Sequence, residues 1–194
     1  MDTTSPQITM SDIFRFLAQS MRYPDAAWFN EHFWSVLLSF LDELHWHEVK
    51  EELISAKTGT EDFLEDVQVE HTRLFINAIP HVVAAPYASV HYKGDGTLYG
   101  AIAEQTKKFY REKGFVLVKE NDLPDHIVYE LEFLALLDNE DPEGREKFID
   151  TLFTPWFEIF KTKVLAEAHH PYYRVMMDLI DFFTNRLPHS PGEQ

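Results

Sequence analysis

Ten histidines and 33 carboxylates in 194 residues could furnish a metal centre, so their spacing is the first thing to test. A carboxylate-bridged dimetal bundle needs two Glu-x-x-His pairs plus further glutamates pointing into one core. The chain offers Asp42-x-x-His45 and Glu167-x-x-His170, both at expected helix ends and only one of them with a glutamate. His45 and His47 flank Trp46 and fall on different sides of a helix, and His47-Glu48 lacks the second histidine of a zincin motif. His126 and Glu130 are four apart and share a helix face, but two ligands make no site. No metal ligand is assigned. Nucleophilic chemistry is equally poorly served. There is no Gly-x-Ser-x-Gly elbow, and Ser89 follows a Pro86-Tyr87 loop instead of a strand. The absence of cysteine removes thiolate nucleophiles, thiolate zinc sites, iron–sulfur ligation and disulfides. Gly94-x-Gly96-x-x-x-Gly100 has neither the preceding strand nor the lysine of a phosphate loop. The expectation is a protein with no catalytic residue and no cofactor, not an enzyme.

Binding chemistry is better represented. The chain carries 17 basic and 33 acidic residues, a net charge of −16 with histidine neutral. A field of that sign repels nucleic-acid backbones and anionic lipid heads and attracts a basic partner. Glu61, Asp62, Glu65, Asp66 and Glu70 recur at three- and four-residue spacing, which lines one flank of a helix. That flank is either a plain solvated face or one half of a binding surface. Leu74 and Phe75 follow on the same helix and lead toward Pro86, and acid beside apolar surface suits a ligand basic at one end and apolar at the other. Leu123-Pro124-Asp125-His126 reads as a helix start, with proline in the first positions and aspartate in the first turn. Asp125 and His126 should then point outward from that turn. A histidine there gains nothing from the helix dipole, so a contact explains it better.

The elements that must position these groups are helical almost throughout. Ser11 can cap a helix carrying Ile13, Phe14 and Leu17 that stops near Pro24, and Asp25 can cap one carrying Phe33, Leu37, Phe40 and Leu41. A third helix runs from about His47 to Ala56, and a fourth opens at Glu61-Asp62. Pro80, Pro86 and the Gly94-Asp95-Gly96 turn forbid a long helix between Ile79 and Gly96, and so long an apolar loop is expected to be packed down and functional. Helix resumes at Thr97 and stops at Gly114; another opens at Leu123-Pro124-Asp125 and ends in the acidic turn 138–144. Two more are separated at Thr154-Pro155, and the last starts at Pro171. The fold class is all-α, a single-domain bundle of about eight helices over residues 11–187, with a flexible N-terminus at 1–10 and a flexible tail at 188–194. No apolar stretch approaches a membrane span and Met1–Pro6 is no secretory signal, so a cytoplasmic protein is expected.

Several of these motifs together resemble the TorD/DmsD/NarJ family of cytoplasmic redox-enzyme maturation chaperones. They are Glu70-His71-Thr72-Arg73-Leu74-Phe75, Pro86-Tyr87-Ala88-Ser89-Val90, Gly96-Thr97-Leu98-Tyr99-Gly100, Tyr110 to Phe115, and Leu123-Pro124-Asp125-His126-Ile127 followed by Glu130-Leu131-Glu132-Phe133-Leu134. They occur in the family's order from near residue 10 to near residue 187, and the Leu-Pro-Asp-His stretch is the most specific. Where the family often has two prolines and a glutamate around the tyrosine, this chain has Ala85 and Ala88. The resemblance implies an all-helical chaperone that binds the twin-arginine signal peptide or N-terminal region of a molybdenum-containing oxidoreductase and assists cofactor insertion before export. It implies a peptide-binding groove of Leu74, Phe75, Pro86, Tyr87, Ser89, Pro124, Asp125 and His126, and Glu70 of the acidic flank and Leu123 of the helix start complete the candidate peptide-binding set. The partner is then the client precursor, with no nucleic acid and no stable membrane insertion. Two other readings stay open: a general helical adaptor for another basic amphipathic peptide, and a helical metal-dependent hydrolase.

Overall fold

The structure, a computed structural model, describes residues 8–77, 82–92, 98–117 and 123–185, with the backbone alone at 138–140. It is all-α, as the periodicity predicts. In chain order the helices are α1 (Met10–Ser20), α2 (Glu31–Glu43), α3 (His47–Thr58), α4 (Phe63–His71), the single turn α5 (Ala88–His91), α6 (Ala101–Glu112), α7 (Ile127–Glu140), α8 (Pro142–Phe148), α9 (Thr154–Glu167) and α10 (Pro171–Asn185). Two wide π-helical turns, Thr72–Ile76 and Ile149–Phe153, continue α4 and join α8 to α9. The chain gathers into two compact units, one of Met1–Arg22 with Pro86–Phe160, the other of Tyr23–Ala85 with Lys161–Gln194.

In the first unit α1 packs along α7. Phe14 and Leu17 are fully buried, and each such side chain contributes about 1.5–3 kcal/mol through removal from water. Ser11 is not the cap of α1. Thr9 is, in a capping box with Asp12, which frees Ser11 to turn inward and donate to the Ala135 carbonyl at 2.8 Å. Met10, expected in a flexible leader, is already helical, while residues 1–7 and the expected tail lie outside the described residues. Aromatic rings of α6, α7 and α8 fill the interior: Tyr110 and Phe148 both meet Phe133, with centroids 4.3 and 5.0 Å away. Gly114 adopts φ +81°, a left-handed stop after α6 that a side chain would resist. Thr154-Pro155 does open a second helix, α9, as the spacing predicts, and a wide turn joins it to α8. The Thr154 N–H reaches back to the Ile149 carbonyl, and this wide turn carries the chain from α8 into α9 just ahead of a proline that has no N–H to donate. The acidic turn expected at 138–144 contracts to Asp141, which caps α8 through the Gly144 N–H at 2.9 Å. The Gly94–Gly96 turn and the Thr97 helix start fall outside the described residues, and α6 begins at Ala101.

In the second unit Phe29, Trp34, Phe63 and Tyr172 form an aromatic core, with Phe63 centred 5.0 Å from Trp34 and Phe29 centred 5.4 Å from Tyr172. Asp25 does not open α2. Its carboxylate accepts the Ala27 N–H in a preceding turn, and Asn30 caps the helix through the His32 and Phe33 N–H groups. Asp62 caps α4 through the Glu65 N–H.

Candidate functional site

Within the first unit two segments are laced together by main-chain bonds. The Ala88 N–H donates to the Asp125 carbonyl at 2.9 Å and the Ile127 N–H to the Pro86 carbonyl at 3.0 Å, which makes Tyr87 and His126 an isolated antiparallel bridge. The Asp125 carboxylate adds a third tie by accepting the Ser89 N–H at 2.7 Å. It thus caps α5 from a distant part of the chain, a helix start that has no side-chain cap of its own. Tyr110 fastens the same turn from α6, its hydroxyl donating to the Pro124 carbonyl at 2.9 Å.

This geometry corrects the expected helix start. Helix α7 begins at Ile127, after Pro124 and Asp125, and its cap is His126, whose Nδ1 accepts the Val128 N–H at 3.1 Å. Asp125 does not point outward. It is fully buried, because the Pro86–Ser89 segment lies over it, with the Ala88 N–H on its carbonyl and the Ser89 N–H on one carboxylate oxygen. His126 remains half-buried, and so does Tyr87; their rings meet edge to face with centroids 4.8 Å apart. Leu123 is also half-buried, whereas Pro86, Ser89 and Pro124 are buried. The accessible part of this region is therefore Leu123, Tyr87 and His126.

Beneath it lies a buried polar cluster. Glu130 accepts the Trp156 indole N–H at 2.9 Å, and its carboxyl is pushed well above the usual range, first by burial and also by nearby Asp125. Burial, with Glu130 and Asp125 nearby, likewise raises the Tyr110 hydroxyl. Asp125 Oδ1, Ser89 Oγ, Thr106 Oγ1 and Glu130 Oε1 meet no hydrogen-bonding partner among the described residues. Neither Tyr110 nor Trp156 was picked out as functional from sequence. Tyr110 lies in one of the motifs that carry the resemblance, but nothing local marks its hydroxyl as the brace of a distant turn.

The second unit holds Glu70, Leu74 and Phe75. Glu70 sits nearly buried under a bidentate Arg73 guanidinium, at 2.7 and 2.9 Å, and accepts the His169 and His170 N–H groups at 2.6 and 3.2 Å. Burial alone would raise its carboxyl, but Arg73 and the two amides outweigh that and hold it below the usual range. Phe75 is 5% exposed, packed against the rings of His71 and Tyr173, and Leu74 is fully buried. The flank offered to solvent carries Glu61, Asp62, Glu65 and Asp66, and the exposed apolar side chains beyond it are Val69 and Ile76. Leu74 and Phe75 continue the buried face of Val67 and His71 at ordinary three- and four-residue spacing, and apolar spacing alone does not separate a buried pair from the lining of a groove.

Among the described residues no group of three or more His, Asp or Glu could hold a metal ion, and no helix is long and apolar enough to cross a membrane. Residues 34–162 match the family model "Nitrate reductase delta subunit". No curated protein sequence matches the chain. Among solved structures it is similar to a protein from Archaeoglobus fulgidus described as a redox enzyme maturation protein. The two are 25% identical, the similarity covers 94% of this chain and 98% of the other, and the TM-score is 0.61.

Proposed function

This chain belongs to the nitrate reductase delta subunit family, and on that premise we propose that it is a cytoplasmic maturation chaperone for a molybdenum-containing oxidoreductase. It binds the client's twin-arginine signal peptide or N-terminal region and holds it while the cofactor is inserted, before export. No bond is made or broken by the protein itself.

The observation that carries this reading is the laced segment in the first unit. Three bonds from Pro86–Ser89 to Asp125–Ile127 fix a Tyr87–His126 ring pair at the surface over a rigid base. A preformed aromatic edge is what an extended apolar peptide needs, because little side-chain freedom is lost on binding. The net charge of −16 supplies the complementary attraction for the basic end. In this arrangement Leu123, Tyr87 and His126 touch the client, while Pro86, Ser89, Pro124 and Asp125 position them. Glu70, Leu74 and Phe75 act from the second unit by shaping the acidic α4 flank.

Calorimetry with a twin-arginine peptide tests it. Affinity should fall as salt rises, since exposed charges are screened beyond about 10 Å at 0.1 M. Binding that is indifferent to salt, or equal for a peptide with both arginines replaced by glutamine, removes the twin-arginine reading and leaves the general adaptor.

A further inference from the structure

The second unit contains a recess that the proposed function does not use. It is a cavity of about 620 Å³ where the turn between α2 and α3 meets α10. That size is ordinary for a small ligand or one side chain with its flanking backbone. Its walls join two kinds of chemistry. Trp46 and Phe182 meet edge to face with centroids 5.8 Å apart and give an aromatic wall. Glu48, Asp178 and Asp181 provide carboxylates.

These carboxylates are unevenly compensated. Lys161 pairs with Asp181 at 2.9 Å. Asp178 is exposed at the mouth of the recess; the protein on its inner side raises its carboxyl, and Asp181 adds to that rise while Lys161 and Arg174 only partly oppose it. A carboxylate in that condition gains from an incoming cation. The turn that presents Trp46 is also held in an unusual shape. His45 adopts φ +59°, a left-handed conformation that costs a non-glycine residue energy, and the Trp46 N–H closes the turn on the Leu41 carbonyl at 2.8 Å.

We propose that this recess is a binding site for an arginine side chain of a basic peptide, with the guanidinium packed against the Trp46–Phe182 wall, flat on one ring and edge-on to the other, and bonded to Asp178. Guanidinium is the cation that fits, because it is planar, stacks on aromatic faces and bonds carboxylates in pairs. The occupant is a basic stretch of the client, which rests on the reading above that the client is a basic peptide; the net charge of −16 makes such a stretch the complementary partner.

The test begins without any client. N-acetyl-arginine methylamide is titrated into the full chain while the Trp46 indole N–H is followed by NMR, its signal assigned with Trp46→Phe. A saturable shift in the millimolar range is expected, about fivefold or more weaker in Asp178→Asn and absent with the neutral citrulline analogue. No saturable shift, or an equal one from citrulline, overturns the site. In calorimetry with the twin-arginine peptide, Asp178→Asn should lower affinity by roughly threefold to tenfold with unchanged thermal unfolding. Unchanged peptide affinity overturns the client as occupant. If the peptide fails to bind the unaltered protein while the arginine probe still shifts Trp46, the chaperone reading falls and the recess stands.

Discussion

Two helix starts in this chain are made of the same parts and connected differently. Before α7, His126 caps with Nδ1 and its neighbour Asp125 is a buried carboxylate that ties down Ser89. Before α10, His170 caps with Nδ1 on the Tyr172 N–H at 3.1 Å, and Glu70 is the buried carboxylate that gathers the His169 and His170 amides. The contrast is in the charge. Glu70 is saturated by Arg73, whereas Asp125 holds one oxygen that meets no hydrogen-bonding partner and lies under a half-exposed tyrosine and histidine. A buried ion pair closed on itself is a fastening and is costly to break from one side. A carboxylate bonded only to backbone on a laced loop is a positioning device. The difference teaches that two residues from the same family motifs can serve stability in one case and presentation in the other.

The largest effect expected from this contrast is Glu70→Ala, which takes the acceptor from Arg73 and from the His169 and His170 amides at once and should cost about 3 kcal/mol of unfolding free energy. Asp125→Asn keeps an acceptor for the Ser89 amide and should cost less than about 1 kcal/mol. Denaturant unfolding of both variants checks this, and equal losses would break the comparison. Tyr87→Ala should come next, weakening client peptide roughly tenfold with little change in melting temperature, because the ring is half exposed. Phe75→Ala provides its opposite: a core truncation costing about 3–5 kcal/mol of stability.

The smallest effect concerns protons. Burial lowers the His170 pKa below the usual imidazole value of 6.5, although Glu70 pulls the other way. A base depressed on folding binds its proton more readily when unfolded, so this contribution to stability is full above about pH 6.5 and is lost as pH falls below it. His170→Asn, which retains a capping acceptor, should flatten that part of the stability profile by less than about 1.4 kcal/mol per pH unit. Glu130 runs in the opposite sense. Its folded pKa is raised, so its stabilising contribution is full below the ordinary 4.5 and disappears as pH rises toward the folded value. Glu130→Gln should therefore be relatively more stable at neutral than at acid pH, as thermal melts across pH 4–8 would register.

The helical character of almost every element was legible from spacing, since three- and four-residue apolar recurrence reports a buried face directly. What spacing cannot report is which acceptor a donor chooses over a long distance. Asp125 looked like the opening of its own helix, and the backbone it serves is 36 residues earlier. Ser11 looked like a cap because serine often is one, but Thr9 with Asp12 competes better. Leu74 and Phe75 read equally well as a groove lining or as core from their spacing, and only their burial, with Val69 and Ile76 left exposed, shows where the apolar surface of this flank lies. The Pro86–Tyr87 and Leu123–His126 segments were singled out separately from their residues; only their backbone pairing shows them to be one surface.

The pairing of α1 with α7 has a consequence for how the chain is made. Helix α1 ends at Ser20 and its packing partner begins at Ile127. At about 5–20 residues per second, translation leaves Phe14 and Leu17 without that partner for roughly 5–20 s. A nascent chain of this protein therefore carries an uncovered apolar helix through most of its synthesis, and its first unit can close only once Phe160 has left the ribosome. A protein proposed to shield the unfinished ends of others spends its own beginning in need of the same shelter.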